Sequence, residues 1–148
     1  MTPTSPSPVA ATPAANAQDA LAHFSARLTF ETDCWDTNAA LSAGATDFVL
    51  IDVRNAELYR ASHVPTAIHL PVGKMTERKM TSWPEGTLFV VYCAGPHCNG
   101  ANKAAVRLAS LGLPVKEMIG GITGWIDEGF TLDTAETVPA TAPNIAAQ

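Results

Sequence analysis

The sequence has few basic residues and no cluster of them. Nine Lys and Arg stand against 14 Asp and Glu among 148 residues, which gives a formal net charge of −5. Nucleic acids and anionic membrane surfaces both attract proteins through clustered basic side chains. We therefore expect partners other than a nucleic acid or a membrane.

Long apolar runs are also missing. The strongest apolar stretches, "FVLI" (48–51) and "LFVV" (88–91), are far shorter than the roughly 20 residues that cross a bilayer. A secretory signal needs a basic segment and then a continuous apolar one, and prolines interrupt the first 17 residues throughout. We expect a soluble protein that stays in the cytoplasm.

Cysteines are few and odd in number, so Cys34, Cys93 and Cys98 cannot all pair within one chain. In a reducing cytoplasm thiols stay free unless chemistry uses them. One Cys-x4-Cys pair beside His97 lacks the second ligand pair of a usual zinc site, so we expect no metal and no cofactor. Cys34, beside Trp35 at the start of a predicted helix, is expected to be structural.

Composition divides the chain into three parts. Residues 1–17 are rich in Pro, Ala, Ser and Thr and hold no aromatic or charged side chain, which predicts a disordered N-terminal segment. Residues 133–148 have a similar composition and are predicted to form a flexible tail. Residues 18–132 remain as one domain of ordinary size.

Within that domain, short apolar runs alternate with segments of helical periodicity. Strands are predicted at "RLTF" (27–30), "DFVLIDV" (47–53), "AIHLP" (67–71), "TLFVVY" (87–92) and "VKEMI" (115–119). Helices are predicted at "CWDTNAALSAG" (34–44) with Asp33 as its cap, "AELYRAS" (56–62), "KMTERKM" (74–80) and "TGWIDEG" (123–129). A further helix ends near Gly112 and presents one apolar stripe, formed by Ala101, Ala104, Ala105, Leu108 and Leu111. This order predicts an α/β fold with a central, mostly parallel sheet flanked by helices on both faces.

Cys93 ends the most apolar of these strands and precedes a helix. Ligands of such sheets bind beyond the carboxyl ends of the strands, where Asp52 also ends a strand. The unpaired N–H groups and positive dipole end of the following helix favour a thiolate, which is the nucleophilic form. The small-residue loop can hold an anion, and His97 and Lys103 can add positive charge. The sequence therefore predicts an activated nucleophile, although a buried Cys can also serve as a small hydrophobe.

Three ordered motifs resemble the rhodanese-like domain family. They are "LIDVRNAELYRASHVPTAIHLP" (50–71), "VVYC" (90–93) and "GGITGW" (120–125), and the likeness covers about residues 28–130. The resemblance implies a sulfurtransferase of the thiosulfate:cyanide type, which holds sulfane sulfur as a Cys93 persulfide and passes it to a thiophilic acceptor. It also implies that the partner is a small sulfur donor or a protein persulfide or thiol.

The resemblance assigns site residues as well. Cys93 takes the place of the nucleophile, and Asp52, Arg54 and Lys103 support the loop and its charge. An Arg54–Glu57 ion pair that only shapes the fold is the alternative for the Asp-Val-Arg motif, and His63 is expected to be mainly structural. The substrate-binding loop comprises Ala94, Gly95, Pro96, His97, Cys98, Asn99 and Gly100.

The loop departs from the family pattern. It is two residues longer than that pattern and holds no Arg or Lys before Lys103. The missing cation disfavours thiosulfate as the natural donor and phosphatase chemistry alike, whereas a wider loop suits a larger substrate or a protein thiol. Cys98 adds an alternative, a thiol redox switch that pairs it with Cys93. A rhodanese-fold module that only binds a protein is a further alternative.

Overall fold

Five strands and six helices alternate through residues 4–135, the part of the chain that this computed structural model describes. The strands are β1 Glu31–Asp33, β2 Val49–Asp52, β3 Ile68–His69, β4 Phe89–Tyr92 and β5 Val115–Ile119. The helices are α1 Ala17–Phe30, α2 Cys34–Ser42, α3 Ala56–Ala61, α4 Glu77–Met80, α5 Gly100–Ser110 and α6 Gly121–Asp127, with a short 3₁₀ turn at Val72–Lys74.

The strands form one parallel sheet in the order β1-β5-β4-β2-β3. The central strand β4 is buried along its whole length, because its side chains alternate between two apolar clusters. Phe89 and Val91 enter one cluster, and Val90 and Tyr92 enter the other. The predicted α/β architecture is confirmed, and all strand pairs of the described sheet are parallel.

Helices cover both faces of the sheet. On one face lies the predicted stripe of α5, with Ala101, Ala104 and Leu108 buried against the sheet. On the other face α2 and α6 contribute Cys34 and Trp125 to the second cluster. These three helices cover the two apolar faces of the sheet, as a two-sided sheet requires.

The first predicted strand is wrong. Residues 27–30 belong to α1, whose first turn is capped by Asn16. Arg27 in its last turn forms an ion pair at 3.2 Å with Glu31, the residue that follows the helix. The helix ends at Phe30, and the strand begins at the next residue. β1 has the sequence Glu-Thr-Asp and no apolar run, so only its pairing with β5 identifies it as a strand.

The chain ends differ in how much is described. Residues 4–16 contain no helix or strand, and residues 136–148 of the predicted tail lie outside the described residues. Asp133 and His63 exchange two backbone hydrogen bonds of 2.9 Å, which ties the start of that tail to the domain. The division at residues 17 and 132 stays a prediction. None of the helices within residues 4–135 has the length and apolar character that a membrane span needs.

Candidate active site

Cys93 lies at the carboxyl edge of the sheet, directly after β4. Its neighbour Tyr92 pairs in register with Asp52 at the end of β2. Cys93 is 8 % exposed, and its carbonyl oxygen accepts a hydrogen bond of 3.0 Å from the Ile122 N–H. Its Sγ is bonded to that of Cys98 as a disulfide, with the two Cα atoms 6.4 Å apart.

The loop after Cys93 is held at both ends. At its start the Ala94 carbonyl accepts hydrogen bonds of 2.9 Å from both the N–H and the hydroxyl of Thr123, in the first turns of α6. Next comes a turn closed by the Cys98 N–H, which donates to the Gly95 carbonyl at 3.1 Å. The Gly100 N–H, at the first residue of α5, donates to the Cys98 Sγ at 3.4 Å. The sulfur atoms therefore lie between the start of α5 and the start of α6.

Two glycines make this arrangement possible. A Cβ placed on Gly100 would lie 2.9 Å from the Cys93 Sγ, so a larger residue would displace the sulfur. Gly121 has a φ of +60°, and a Cβ there would lie 2.4 Å from the Cys93 carbonyl oxygen. The motif "GGITGW" therefore needs Gly121 because α6 approaches the backbone of the cysteine loop closely.

A cavity of about 220 Å³ opens over the cysteine pair. Its walls come from the loop, from the start of α5 and from the strands β1 and β5 with the turn that follows. The lining residues are Cys93, Gly95, Pro96, Cys98, Ala101, Asn102, Glu31, Glu117, Met118, Ile119, Gly120 and Gly121. Seven residues assigned to the site by sequence do not line this cavity, namely Ala94, His97, Asn99, Gly100, Lys103, Asp52 and Arg54. Of these, His97, Asn99 and Lys103 are exposed.

Asp52 and Arg54 form a buried ion pair outside the cavity. The Arg54 Nη2 lies 2.8 Å from the Asp52 Oδ2, and its Nε donates to both carboxylate oxygens at 3.1 Å. The same Nη2 donates to the Ser62 carbonyl, and the Tyr92 hydroxyl donates to the Asp52 Oδ2 at 2.7 Å. The Arg54–Glu57 pair considered from sequence is therefore wrong, because Arg54 folds back onto Asp52.

Electrostatics favour the charged form of Arg54 and the protonated form of Tyr92. Burial alone would lower the pKa of Arg54, but the hydrogen bonds and the charge of Asp52 raise it by more than burial lowers it. The pKa of Arg54 therefore lies above its ordinary value. Burial and then the charge of Asp52 raise the pKa of Tyr92. Tyr92 adjoins Cys93 in the chain, so the network acts on the site by fixing the ends of β2 and β4.

His63 is likewise held by contacts outside the cavity. Its ring stacks on that of Tyr59 with the centroids 3.9 Å apart, and its Nδ1 lies 2.8 Å from the Tyr59 carbonyl oxygen. His63 does not line the cavity. These contacts account for a structural histidine.

Cys34 lies beneath the cavity floor as a free, buried thiol. Its Sγ donates to the carbonyls of Ile119 and Gly121 at 3.5 Å. Burial, followed by the negative charges of Asp33 and Glu128, raises the pKa of this thiol to about 11. Cys34 is therefore a packed, protonated group, in agreement with its predicted structural role.

Sequence reasoning missed one wall of the cavity. Glu31, Glu117 and Asn102 line it, and the Asn102 Nδ2 donates to the Glu117 Oε2 at 2.8 Å. The role of Thr123 as an anchor of the loop is likewise not predicted by sequence, although Thr123 lies within the motif "GGITGW". No local signal marks these side chains, because strand pairing brings them together. Within residues 4–135 no three His, Cys, Asp or Glu side chains converge to form a metal site.

Known proteins resemble this chain both in sequence and in structure. A family model described as a rhodanese-like domain matches residues 36–128. The solved structure of the BH2092 protein from Bacillus halodurans is 38 % identical, with a TM-score of 0.78 over 81 % of this chain and 88 % of that chain.

Two curated proteins are similar over part of their length. The HTH-type transcriptional regulator Rv0324 of Mycobacterium tuberculosis is 31 % identical over 94 residues, which are 64 % of this chain and 41 % of that protein. The adenylyltransferase and sulfurtransferase uba4 of Ogataea parapolymorpha is 31 % identical over 87 residues, 56 % of this chain and 22 % of that protein. The chain thus spans less than half of either relative.

Proposed function

This chain belongs to the rhodanese-like domain family, and we propose that it is a sulfurtransferase that carries sulfane sulfur on Cys93. The observation that carries the proposal is the position of Cys93, whose sulfur lies at the end of a buried strand, beside the first residue of α5 and in the wall of an open cavity. The name of the uba4 relative includes the word sulfurtransferase, which supports sulfur transfer as the class of reaction.

The first half-reaction begins from reduced Cys93. Its thiolate attacks the sulfane sulfur of a donor, so a new S–S bond forms on Sγ and the donor's own bond to that sulfur breaks. With thiosulfate the leaving group is sulfite, and with a persulfide it is a thiolate. The positive end of the α5 dipole, which begins at Gly100, stabilises the attacking thiolate and the resulting persulfide.

The second half-reaction returns the enzyme to its starting state. A thiophilic acceptor, such as cyanide or a thiolate, attacks the outer sulfur, and the electron pair of the breaking S–S bond returns to the Cys93 sulfur. The backbone anchors from Ile122 and Thr123 hold the loop in place during both steps. Asp52, Arg54 and Tyr92 keep the strand ends behind it rigid.

The first prediction concerns the persulfide itself. Reduced protein treated with thiosulfate, or with a small persulfide, should gain one sulfur atom in intact-mass measurements. Cys93→Ser should abolish the gain, because it removes the nucleophile, whereas Cys34→Ala should keep it. A reduced wild-type protein that gains no sulfur from either donor would show that the proposed activity is wrong.

A second candidate function, a thiol switch that ends in the Cys93–Cys98 disulfide, is favoured by the contact between the two sulfurs. Their Cα separation of 6.4 Å lies within the range of about 4.4–6.8 Å in which disulfides form. The Cys98 thiolate would attack the Sγ of the Cys93 persulfide, forming the disulfide and releasing hydrosulfide. In the same mass measurement the loaded wild-type protein should then lose its sulfur and become a disulfide, while loaded Cys98→Ser stays a persulfide. Equal persulfide lifetimes in the two proteins would exclude the switch.

A further inference from the structure

One wall of the cavity that the cysteines line is acidic. Glu31 on β1 and Glu117 on β5 are partners in the parallel register, so their Cα atoms are neighbours on adjacent strands. Both residues line the cavity that contains Cys93. Two acidic residues therefore line the cavity in which the sulfur is reached.

The charge of this wall is only partly offset. The Glu31 Oε2 pairs with the Nη2 of Arg27 at 3.2 Å, on the exposed side of α1. Glu117 accepts from the amide of Asn102, a neutral group that leaves its charge uncancelled. Lys116 precedes Glu117 on the strand, and alternation turns its side chain to the other face.

No cation compensates from inside. None of the twelve described residues that line the cavity is Lys, Arg or His. Opposite charges attract and like charges repel over a few ångströms with energies that change rates several-fold, even with partial solvent screening. A sulfonate or another anionic group next to the transferred sulfur would therefore meet repulsion from Glu117.

We propose that Glu117, assisted by Glu31, determines specificity by favouring a substrate with an ammonium group near its reactive sulfur over one with a sulfonate or carboxylate. The proposal rests on the proposed sulfurtransferase function and names the substrate class of that site. It separates two tasks within the cavity. The α5 dipole stabilises the sulfur anion on Cys93, and the carboxylate wall selects the group that accompanies the incoming sulfur.

Charged thiosulfonates test the electrostatics without any sulfur transfer. The Cys93 thiolate attacks the sulfenyl sulfur of the reagent, a mixed disulfide forms, and methanesulfinate leaves with the electrons of the broken S–S bond. In a reduced Cys98→Ser background, with Cys34 buried, Cys93 is the reacting thiol. The two probes are aminoethyl and sulfonatoethyl methanethiosulfonate, which carry opposite charges on similar chains.

The measured quantity is the rate of reaction with the aminoethyl probe divided by the rate with the sulfonatoethyl probe. This ratio is divided by the same ratio for a free small thiol, and the normalised ratio should favour the cationic probe. Glu117→Gln should lower the normalised ratio by about fivefold or more. Glu117→Gln keeps an oxygen for Asn102 to donate to, so the wall should retain its shape. Glu85→Gln, an exposed control that does not line the cavity, should leave the ratio unchanged. Equal ratios in the parent and in Glu117→Gln would overturn the proposal, whether or not a persulfide ever forms.

A second experiment asks whether the ammonium group belongs to a small molecule or to a polypeptide. Sulfur acceptors are added to Cys98→Ser protein that carries the Cys93 persulfide. Cysteamine is compared with mercaptopropionate, and a cysteine peptide flanked by lysines with one flanked by glutamates. A Glu117-dependent preference for cysteamine supports a free aminothiol as the substrate. A Glu117-dependent preference that is found only with the lysine peptide supports a basic polypeptide as the substrate. The absence of a charge preference in both pairs would overturn the proposal.

Discussion

Gly100 sets the position of the reactive sulfur. A Cβ at this residue would lie 2.9 Å from the Cys93 Sγ and 3.3 Å from the Cys98 Sγ, closer than ordinary contacts allow. Both sulfurs therefore use the space that the missing side chain leaves open. The glycine at the first residue of α5 therefore serves the site.

Gly100→Ala should slow persulfide formation by about tenfold or more, because overpacking displaces the Cys93 sulfur from the start of α5. The measurement is the rate of sulfur gain by intact mass. Gly73→Ala is the matched control, since a Cβ at Gly73 meets nothing within 4 Å. Equal rates in the two variants would contradict this role of Gly100.

Among the elements, α6 does more than cover the sheet. Its first residues hold the backbone of Cys93 and Ala94 through three hydrogen bonds, from Ile122 and Thr123. The approach is close enough that a Cβ on Gly121 would lie 2.9 Å from the Gly95 nitrogen as well as 2.4 Å from the Cys93 oxygen. The helix and the loop therefore form one packed unit.

Gly121→Ala should destabilise the protein more than Gly129→Ala does. Both glycines have positive φ, +60° and +75°, but only Gly121 faces a crowded backbone. Positive φ alone costs an alanine about 1–3 kcal/mol, and overpacking adds about 1–3 kcal/mol at Gly121. Urea unfolding of both variants measures the difference, and equal losses would contradict the packed unit.

Several elements could be predicted because their signals are local. Asp33 caps α2 by accepting from the Asp36 N–H at 2.7 Å, and the stripe of α5 faces the sheet as its spacing indicates. β1 could not be predicted, since its three polar residues become a strand only by pairing with β5. Residues 27–30 were misassigned because their apolar side chains suggested burial, whereas Leu28 and Phe30 are 72 % and 66 % exposed on α1.

For the molecule as a whole, stability should depend on the protonation of Cys34. The pKa of this thiol rises from the ordinary 9.0 to about 11 in the folded protein, mainly through burial. The folded state therefore holds the proton more tightly than the unfolded state. The resulting stability is complete below about pH 9 and is lost as the pH rises through about 11.

The measurement is the free energy of unfolding of the disulfide form between about pH 8 and about pH 10.5, in the wild type and in Cys34→Ala. The wild type should lose stability more steeply than the variant, because the variant has no thiol to ionise. Tyr92, whose pKa is also raised, contributes equally to both curves. Parallel curves would show that Cys34 does not titrate differently in the folded state.

The sequence by itself determined the alternation of strands and helices, the family likeness and the place of Cys93 between a strand and a helix, because apolar spacing, caps and turns act between near neighbours in the chain. Only the tertiary structure decided which side chains surround that sulfur. The β1–β5 register sets Glu31 beside Glu117, the fold of the loop brings Cys98 to Cys93, and Arg54 turns to Asp52 instead of Glu57. The first contact joins residues distant in sequence, and the other two join near neighbours whose choice of partner depends on the burial and backbone path that the surrounding fold imposes.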